Sequence, residues 1–285
     1  MFLPLLSYMR MRDTKFLFLR KLAIIVTVIV VCALTVTTMY AKGYRLSARP
    51  LALLSPGSIR IEGILPTDLV YIDSIKTKVS LQNSTAKINT SNGTHEVVIS
   101  RAGSYPWAKI LTIAQDRETT VSPFFIKNNP ELNVFNQSDP SFETRRTNIR
   151  LEPIPAREIP RFPPGSEDAE GGTVGIYVEG TSIIAEWFGP ESTIPRFFCA
   201  QRCFSKVTVV DLKEPITSLD FLPSRNDVIL FASGNQVAAI EIDRQGLQNY
   251  QPLFTGKGTV QFSLNAKNQL SIVDTESLVE IALGN

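Results

Sequence analysis

The stretch PRFFCAQRCFSKVTV carries Cys199 and Cys203, two of the three cysteines in a chain of 285 residues, with Ala200, Gln201 and Arg202 between them. Two thiols so close can exchange redox equivalents, contribute to a metal site or close as a covalent staple, and the choice depends on the compartment they face. An imidazole titrates near neutrality, so the single histidine, His95, is the natural candidate for a general base. No serine or cysteine sits in a recognisable nucleophile elbow or triad motif, and a solvent-facing strand position is expected for His95. A four-ligand zinc site would need carboxylates to supplement one His and two Cys, so no metal, no cofactor and no catalytic residue is expected.

Glu167, Asp168 and Glu170 lie close together in GSEDAEGG. Two carboxylates about 5 to 9 Å apart can hydrolyse a glycosidic bond, and several can hold calcium. The run lacks the alternating pattern of a calcium loop and the Gly-Lys-Ser/Thr ending of a phosphate loop, so it is expected to be a solvated turn. The aromatic residues Tyr105, Trp107 and Trp187 are the candidate ligand contacts, because aromatic faces stack on sugars and fill peptide grooves. The competing role for a Trp in a small β-domain is core packing.

Whatever these residues do, other elements must position them. Leu22 to Tyr40, LAIIVTVIVVCALTVTTMY, has no charge, Pro or Gly and as a helix would span roughly 28 Å, the thickness of a bilayer core. An uncleaved anchor is expected over a cleaved signal, because the apolar run is long and bulky Met39 stands where a cleavage site wants a small residue. Arg10, Arg12, Lys15, Arg20 and Lys21 precede the span, against Lys42, Arg45 and Arg49 after it, so residues 1–21 read as a basic cytoplasmic tail and the bulk of the chain as extracytoplasmic. Removing that tail leaves a slightly acidic remainder, which speaks against nucleic acid as a partner.

Beyond Gly57 short alternating runs recur between turn residues, and no long window shows helical periodicity, so the exterior reads as all-β. DLVYIDS, STAKINT, HEVVISR and AKILTIA are expected as strands, with NTSNGTH as a hairpin turn at Asn92 and Gly93. The run GSIRIEG…DLVYIDS…NGTHEVVISRAGSYPWAKILTI resembles a PEGA domain, a small extracytoplasmic β-sandwich of bacteria, over residues 50–127. The resemblance rests on the VYID strand, the Gly before HEVVI, and Gly103 with Tyr105 before the last strand. It departs at Leu65, Pro66, Thr67 and Asp68, where such domains carry a Pro-Glu-Gly-Ala-like element. It implies an envelope module without known catalysis.

Residues 128–172 hold Pro130, Pro140, Pro153, Pro155, Pro160, Pro163 and Pro164 and read as a linker or strapping segment, with TNIRLEPI adding a strand to a neighbouring sheet. Residues 173–285 contain a weak repeat at an offset of about 41 or 42 residues, aligning Phe221 with Phe262, Asn226 with Asn268 and Ile240 with Ile281. GIYVEGTSIIAEWF repeats the final hairpin alone, turning at Gly180 and Thr181. Such a period is that of β-propeller blades, yet the segment is too short to close a ring, so open blade-like sheets or closure by oligomerisation are expected. This part also resembles the C-terminal region of anchored PEGA-domain proteins of bacteria, which brings no established activity.

The expected architecture is thus a transmembrane helix at 22–40, a PEGA-like sandwich at 50–127, a Pro-rich segment and a blade-like β-domain. The expected function is that of a non-catalytic membrane-anchored envelope protein binding cell-wall polymer, surface glycan or another envelope protein. The alternatives are a carboxylate-based envelope glycosidase and a subunit of an oligomeric assembly. In an extracytoplasmic setting Cys199 and Cys203, opposite each other in a hairpin, are expected to form a disulfide.

Overall fold

The computed structural model describes residues 4–48, 51–164, 171–199, 202–265 and 267–283, with side chains described outside 4–19, 47–48 and 51–52. Glu167, Asp168 and Glu170 lie outside the described residues. Helix α1 (Pro4–Ala41) takes in the expected basic tail as well as the apolar run, and Arg20–Ala41 is long and apolar enough to cross a membrane. Within the apolar span Thr27, Thr35 and Thr37 donate to the carbonyls of Ala23, Val31 and Ala33 at 2.9, 2.8 and 2.8 Å, and Thr38 to that of Thr35 at 2.8 Å, so these hydroxyls need no outside partner. Gly43, at φ 91°, ends the helix, and the Tyr44 N–H bonds back to the Met39 carbonyl at 3.1 Å.

The regular structure after the helix is mostly strand. The hairpin β1 (Arg45–Ala48) and β2 (Leu51–Leu54) is followed by β3 (Gly57–Glu62), β4 (Leu69–Ile72), β5 (Ile75–Thr77), β6 (Leu81–Gln82), β7 (Thr85–Thr90), β8 (Gly93–Ser100), β9 (Trp107–Ile113) and β10 (Glu118–Val121). The four expected strands are β4, β7, β8 and β9. NTSNGTH, however, is not a hairpin, because β7 and β8 belong to different sheets. A two-residue hairpin turn needs positive φ at both central positions or at the first, and of Asn92 and Gly93 only Gly93, the second, has it. Tight turns of this kind occur instead between β4 and β5, where Asp73 and Ser74 both have positive φ, 51° and 65°, and between β6 and β7, at Asn83 and Ser84.

The remaining elements are β11 (Leu132–Asn136), α2 (Phe142–Asn148), β12 (Thr173–Glu179), β13 (Ser182–Phe188), β14 (Lys206–Asp211), β15 (Ile216–Phe221), β16 (Val228–Ser233), β17 (Gln236–Glu241), β18 (Tyr250–Thr255), β19 (Gln261–Leu264), β20 (Gln269–Val273) and β21 (Ser277–Ala282). The chain divides into two units, one of residues 1–60, 87–93 and 112–120, the other of 61–86, 94–111 and 121–285.

In the first unit β10, β3 and β7 lie side by side, and Lys87 reaches Glu118 at 2.7 Å on their exposed face. In the second, the sheet β5-β4-β8-β9 accompanies the sheets β12-β13-β14, β15-β16-β17-β18 and β11-β21-β20-β19. The repeat in sequence is therefore a repeat of sheets, with β15, β16 and β17 answering β19, β20 and β21. Phe221 and Phe262, and Ile240 and Ile281, are buried at equivalent positions. One core cluster runs from Ile176 and Ile183 through Phe198, Leu219 and Phe231 to Ile240.

The Pro-rich segment is a strap. Its β11 pairs along β21, Leu132 opposite Ile281, and supplies the fourth strand that the last sheet lacks. Further on, Arg161 exchanges two backbone bonds of 2.9 Å with Ile176, and Val178 donates to the Pro155 carbonyl at 3.0 Å, which covers the free edge of β12. The opposite edge, β14, is covered by side chains. Arg244 Nη1 bonds the Thr208 carbonyl at 2.9 Å and Gln248 Nε2 the Val209 carbonyl at 3.1 Å. Both edges of the three-stranded sheet are thereby closed to strand addition. TNIRLEPI forms no strand: it begins at the end of α2, and Arg150 is tied by its carbonyl to Ser263 Oγ at 2.8 Å.

Candidate binding cleft

Strand β9 shows how the second unit holds its site. Trp107, Lys109, Leu111 and Ile113 share one face of the strand, and all are buried, so a lysine stands in the apolar register. Its ammonium lies 2.8 Å from Glu241 Oε2, 3.2 Å from Asp243 Oδ2 and 3.0 Å from the Asp243 carbonyl. Trp107 Nε1 donates to the other oxygen of Glu241, and Asn249 Nδ2 donates to Oε2 at 3.0 Å. A buried ion pair is tolerated only when its remaining hydrogen-bonding capacity is met, and here it is. Gly246, at φ 64°, lies so close to the backbone of Ile110 that a Cβ there would overlap it, so the turn after β17 can rest on β9 only with glycine at that position.

Two carboxamides extend this seam. Asn249 donates to the Ala108 carbonyl at 2.9 Å and accepts from its N–H at 2.8 Å. Gln251, 1% exposed, accepts from the Ile126 N–H at 2.7 Å and donates to the Phe124 carbonyl at 3.2 Å. Each amide imitates a strand's backbone and occupies donors and acceptors that would otherwise be buried unpaired. Arg225 completes the junction, giving hydrogen bonds to the carbonyls of Ser122 and Pro123 at 2.6 and 3.1 Å while holding Asp227 through two oxygens.

Where this seam reaches the surface it leaves a cleft of about 530 Å³. Its apolar lining includes Leu65, Phe125, Pro130, Leu222, Pro223 and Leu283, and its polar lining is Arg101, Ser104, Lys127, Ser224 and Arg225. Among the described residues the lining contains no Asp, Glu, Asn or Gln. Arg101 is spoken for: Asp68 accepts from its Nε at 3.0 Å and its Nη2 at 2.7 Å, and its guanidinium lies 4.0 Å over the Phe125 ring. Asp68 in turn accepts from the Leu65 N–H at 2.8 Å, so Leu65-Pro66-Thr67-Asp68 is a closed turn pinned at the cleft wall. Lys127 makes no ion pair among the described residues, and its backbone bridges Ser104. Ser224 holds φ at 61°, an unusual conformation for a non-glycine residue. A volume of this size lies within the range of ligand clefts, and the lining sets apolar side chains beside one lysine.

The expected aromatic contacts are not brought together. Trp107 is 2% exposed and serves the seam, the core-packing role that competes with ligand contact. Tyr105 is half-buried, its N–H bonded to the Ile126 carbonyl at 3.0 Å behind the cleft wall. Trp187 is half-buried against the core cluster and donates from Nε1 to the Pro190 carbonyl at 3.0 Å. His95 is buried rather than solvent-facing, with Nδ1 2.7 Å from Asp73 Oδ2. Burial raises the Asp73 carboxyl, but hydrogen bonds from His95 and from the Glu96 N–H outweigh it and hold the group below its ordinary value.

Cys199 and Cys203 are disulfide-bonded, and their backbones form an isolated antiparallel bridge. The segment before them is not a strand, however: Arg196–Phe198 is a turn of 3₁₀ helix, which drives Phe198 into the core while Phe204 stays exposed. No group of three or more His, Cys, Asp or Glu able to hold a metal occurs among the described residues. No protein-family model matches this chain, and no curated protein matches it at a significant level.

Proposed function

We propose that this protein is a non-catalytic, membrane-anchored envelope protein. In this reading α1 is a single span with its N-terminus in the cytoplasm, and the β units stand outside, where they bind a cell-wall polymer, a surface glycan or another envelope protein. The PEGA-like pattern of residues 50–127 and the blade-like repeat of 173–285 belong to the same reading. The observation that carries it is the cleft at Leu65, Phe125, Lys127 and Leu222, a recessed apolar surface beside a lysine that has no ion-pair partner among the described residues. The disulfide supports the placement outside, since such bonds persist in oxidising compartments.

Two measurements test this. Cysteines introduced at exposed positions, such as Ser224→Cys, should label with a membrane-impermeant maleimide in intact cells. The full-length chain in detergent should co-sediment with isolated envelope material. Labelling only after lysis contradicts the orientation, and a chain left wholly in the supernatant contradicts the binding role.

A further inference from the structure

The cleft also carries information on the class of its ligand. We infer, resting on the reading that this cleft is a binding site, that it takes an extended peptide segment with apolar side chains around one carboxylate. Three features of the lining select that class.

Charge is the first. Arg101 and Arg225 are each held through two nitrogens by a carboxylate, Asp68 and Asp227, so neither offers a free charge. Lys127 is exposed and has no such partner among the described residues, so the cleft presents a single unneutralised cation and calls for one anion. The second is what the lining lacks. Sugar hydroxyls are read largely by side-chain carboxylates and amides beside an open aromatic face, and among the described residues the lining has no Asp, Glu, Asn or Gln, while of its two aromatic side chains Phe124 is 3% exposed and Phe125 lies under Arg101 at 4.0 Å. The third is the pairing of polar and apolar groups. The side chains of Ser104, half-buried, and Ser224, exposed, make no hydrogen bond among the described residues and line the same cleft as Leu65, Leu222 and Pro223. A peptide backbone offers donors and acceptors interleaved with side chains, which matches such a lining, whereas an acyl chain would match the apolar walls but offer neither hydroxyl a partner.

The test uses the full-length chain in detergent and fluorescence anisotropy. The probes are labelled octapeptides of Leu, Phe and Pro around a central Glu, Gln or Lys, and vesicles of phosphatidylglycerol. The Glu series should bind at least about tenfold tighter than the Lys series. Lys127→Glu, at an exposed position, should invert that preference, and Leu65→Glu, also exposed, should weaken every peptide. Equal binding of the Glu and Lys series, a preference unchanged by Lys127→Glu, or cleft-dependent binding of the vesicles alone would overturn the peptide assignment. If envelope material still binds and Leu65→Glu abolishes it while no peptide binds, the binding role stands and only the ligand class falls. If neither binds, both fall.

Discussion

Glu241 and Lys109 stand 132 residues apart in the chain, and their side chains meet at 2.8 Å with exposures of only 6% and 2%. Within the second unit this pair ties residues 107–111 of β9 to the sheet β15-β16-β17-β18. Because both charges are buried, removing one should cost far more than removing both. Lys109→Met should destabilise the protein by about 3 to 5 kcal/mol, and Lys109→Met with Glu241→Leu should cost less than the sum of the two single changes. Chemical denaturation followed by tryptophan fluorescence measures both, and strict additivity would contradict the coupling.

The carboxamide of Gln251 should matter through the backbone it satisfies. Gln251→Leu keeps the volume but leaves the Ile126 N–H and Phe124 carbonyl unpaired in a buried site, at a cost of about 1 to 3 kcal/mol. Hydrogen exchange should show the Ile126 amide opening sooner than the strands of the core cluster.

The disulfide predicts a thiol count. Unfolded without reductant, the chain should show one reactive thiol, Cys32, and three after reduction. Closing so short a loop contributes about 2 kcal/mol by chain entropy. Cys199→Ser should therefore lower stability modestly, with the effect centred on Phe198 and its core neighbours.

Asp274 predicts a pH dependence. Burial raises its carboxyl, but the N–H groups of Lys257, Thr275 and Gly258, at 3.0, 2.6 and 3.2 Å, outweigh that and hold it below the ordinary carboxylate value. A group depressed in the folded state contributes stability above its unfolded pKa and loses it as pH falls through the folded one. Asp274→Asn should therefore be less stable than wild type at pH 7, and the gap should narrow as pH drops below the ordinary aspartate range. A gap that is constant with pH would contradict the charge-based origin.

Much of the strand content was legible because it is written in alternation: Val70 and Ile72, or Val97 and Ile99, face inward with period two. The repeat was legible because Phe221 and Phe262 fill equivalent core positions. The sheet assignment of β7 and β8 was not, since the choice between folding back and crossing to another sheet rests on the φ of Asn92, which residue identity leaves open. β11 was missed because its residues are mostly exposed and its partner, β21, lies far along the chain. The seam did leave a trace. Lys109 sits in register with Trp107, Leu111 and Ile113, and Gln251 with Leu253, so each is a polar residue on an apolar face and implies a buried partner. Which partner it is depends on tertiary contacts, and so does the cleft, whose walls come from six separate stretches of the chain.

The most direct measurement is the affinity of the full-length protein for isolated envelope material, compared with that of Lys127→Glu and Leu65→Glu at equal folding by circular dichroism. A cleft-borne binding function predicts saturable wild-type binding that each substitution weakens by about tenfold or more. Saturable binding with the same affinity in all three proteins would contradict it.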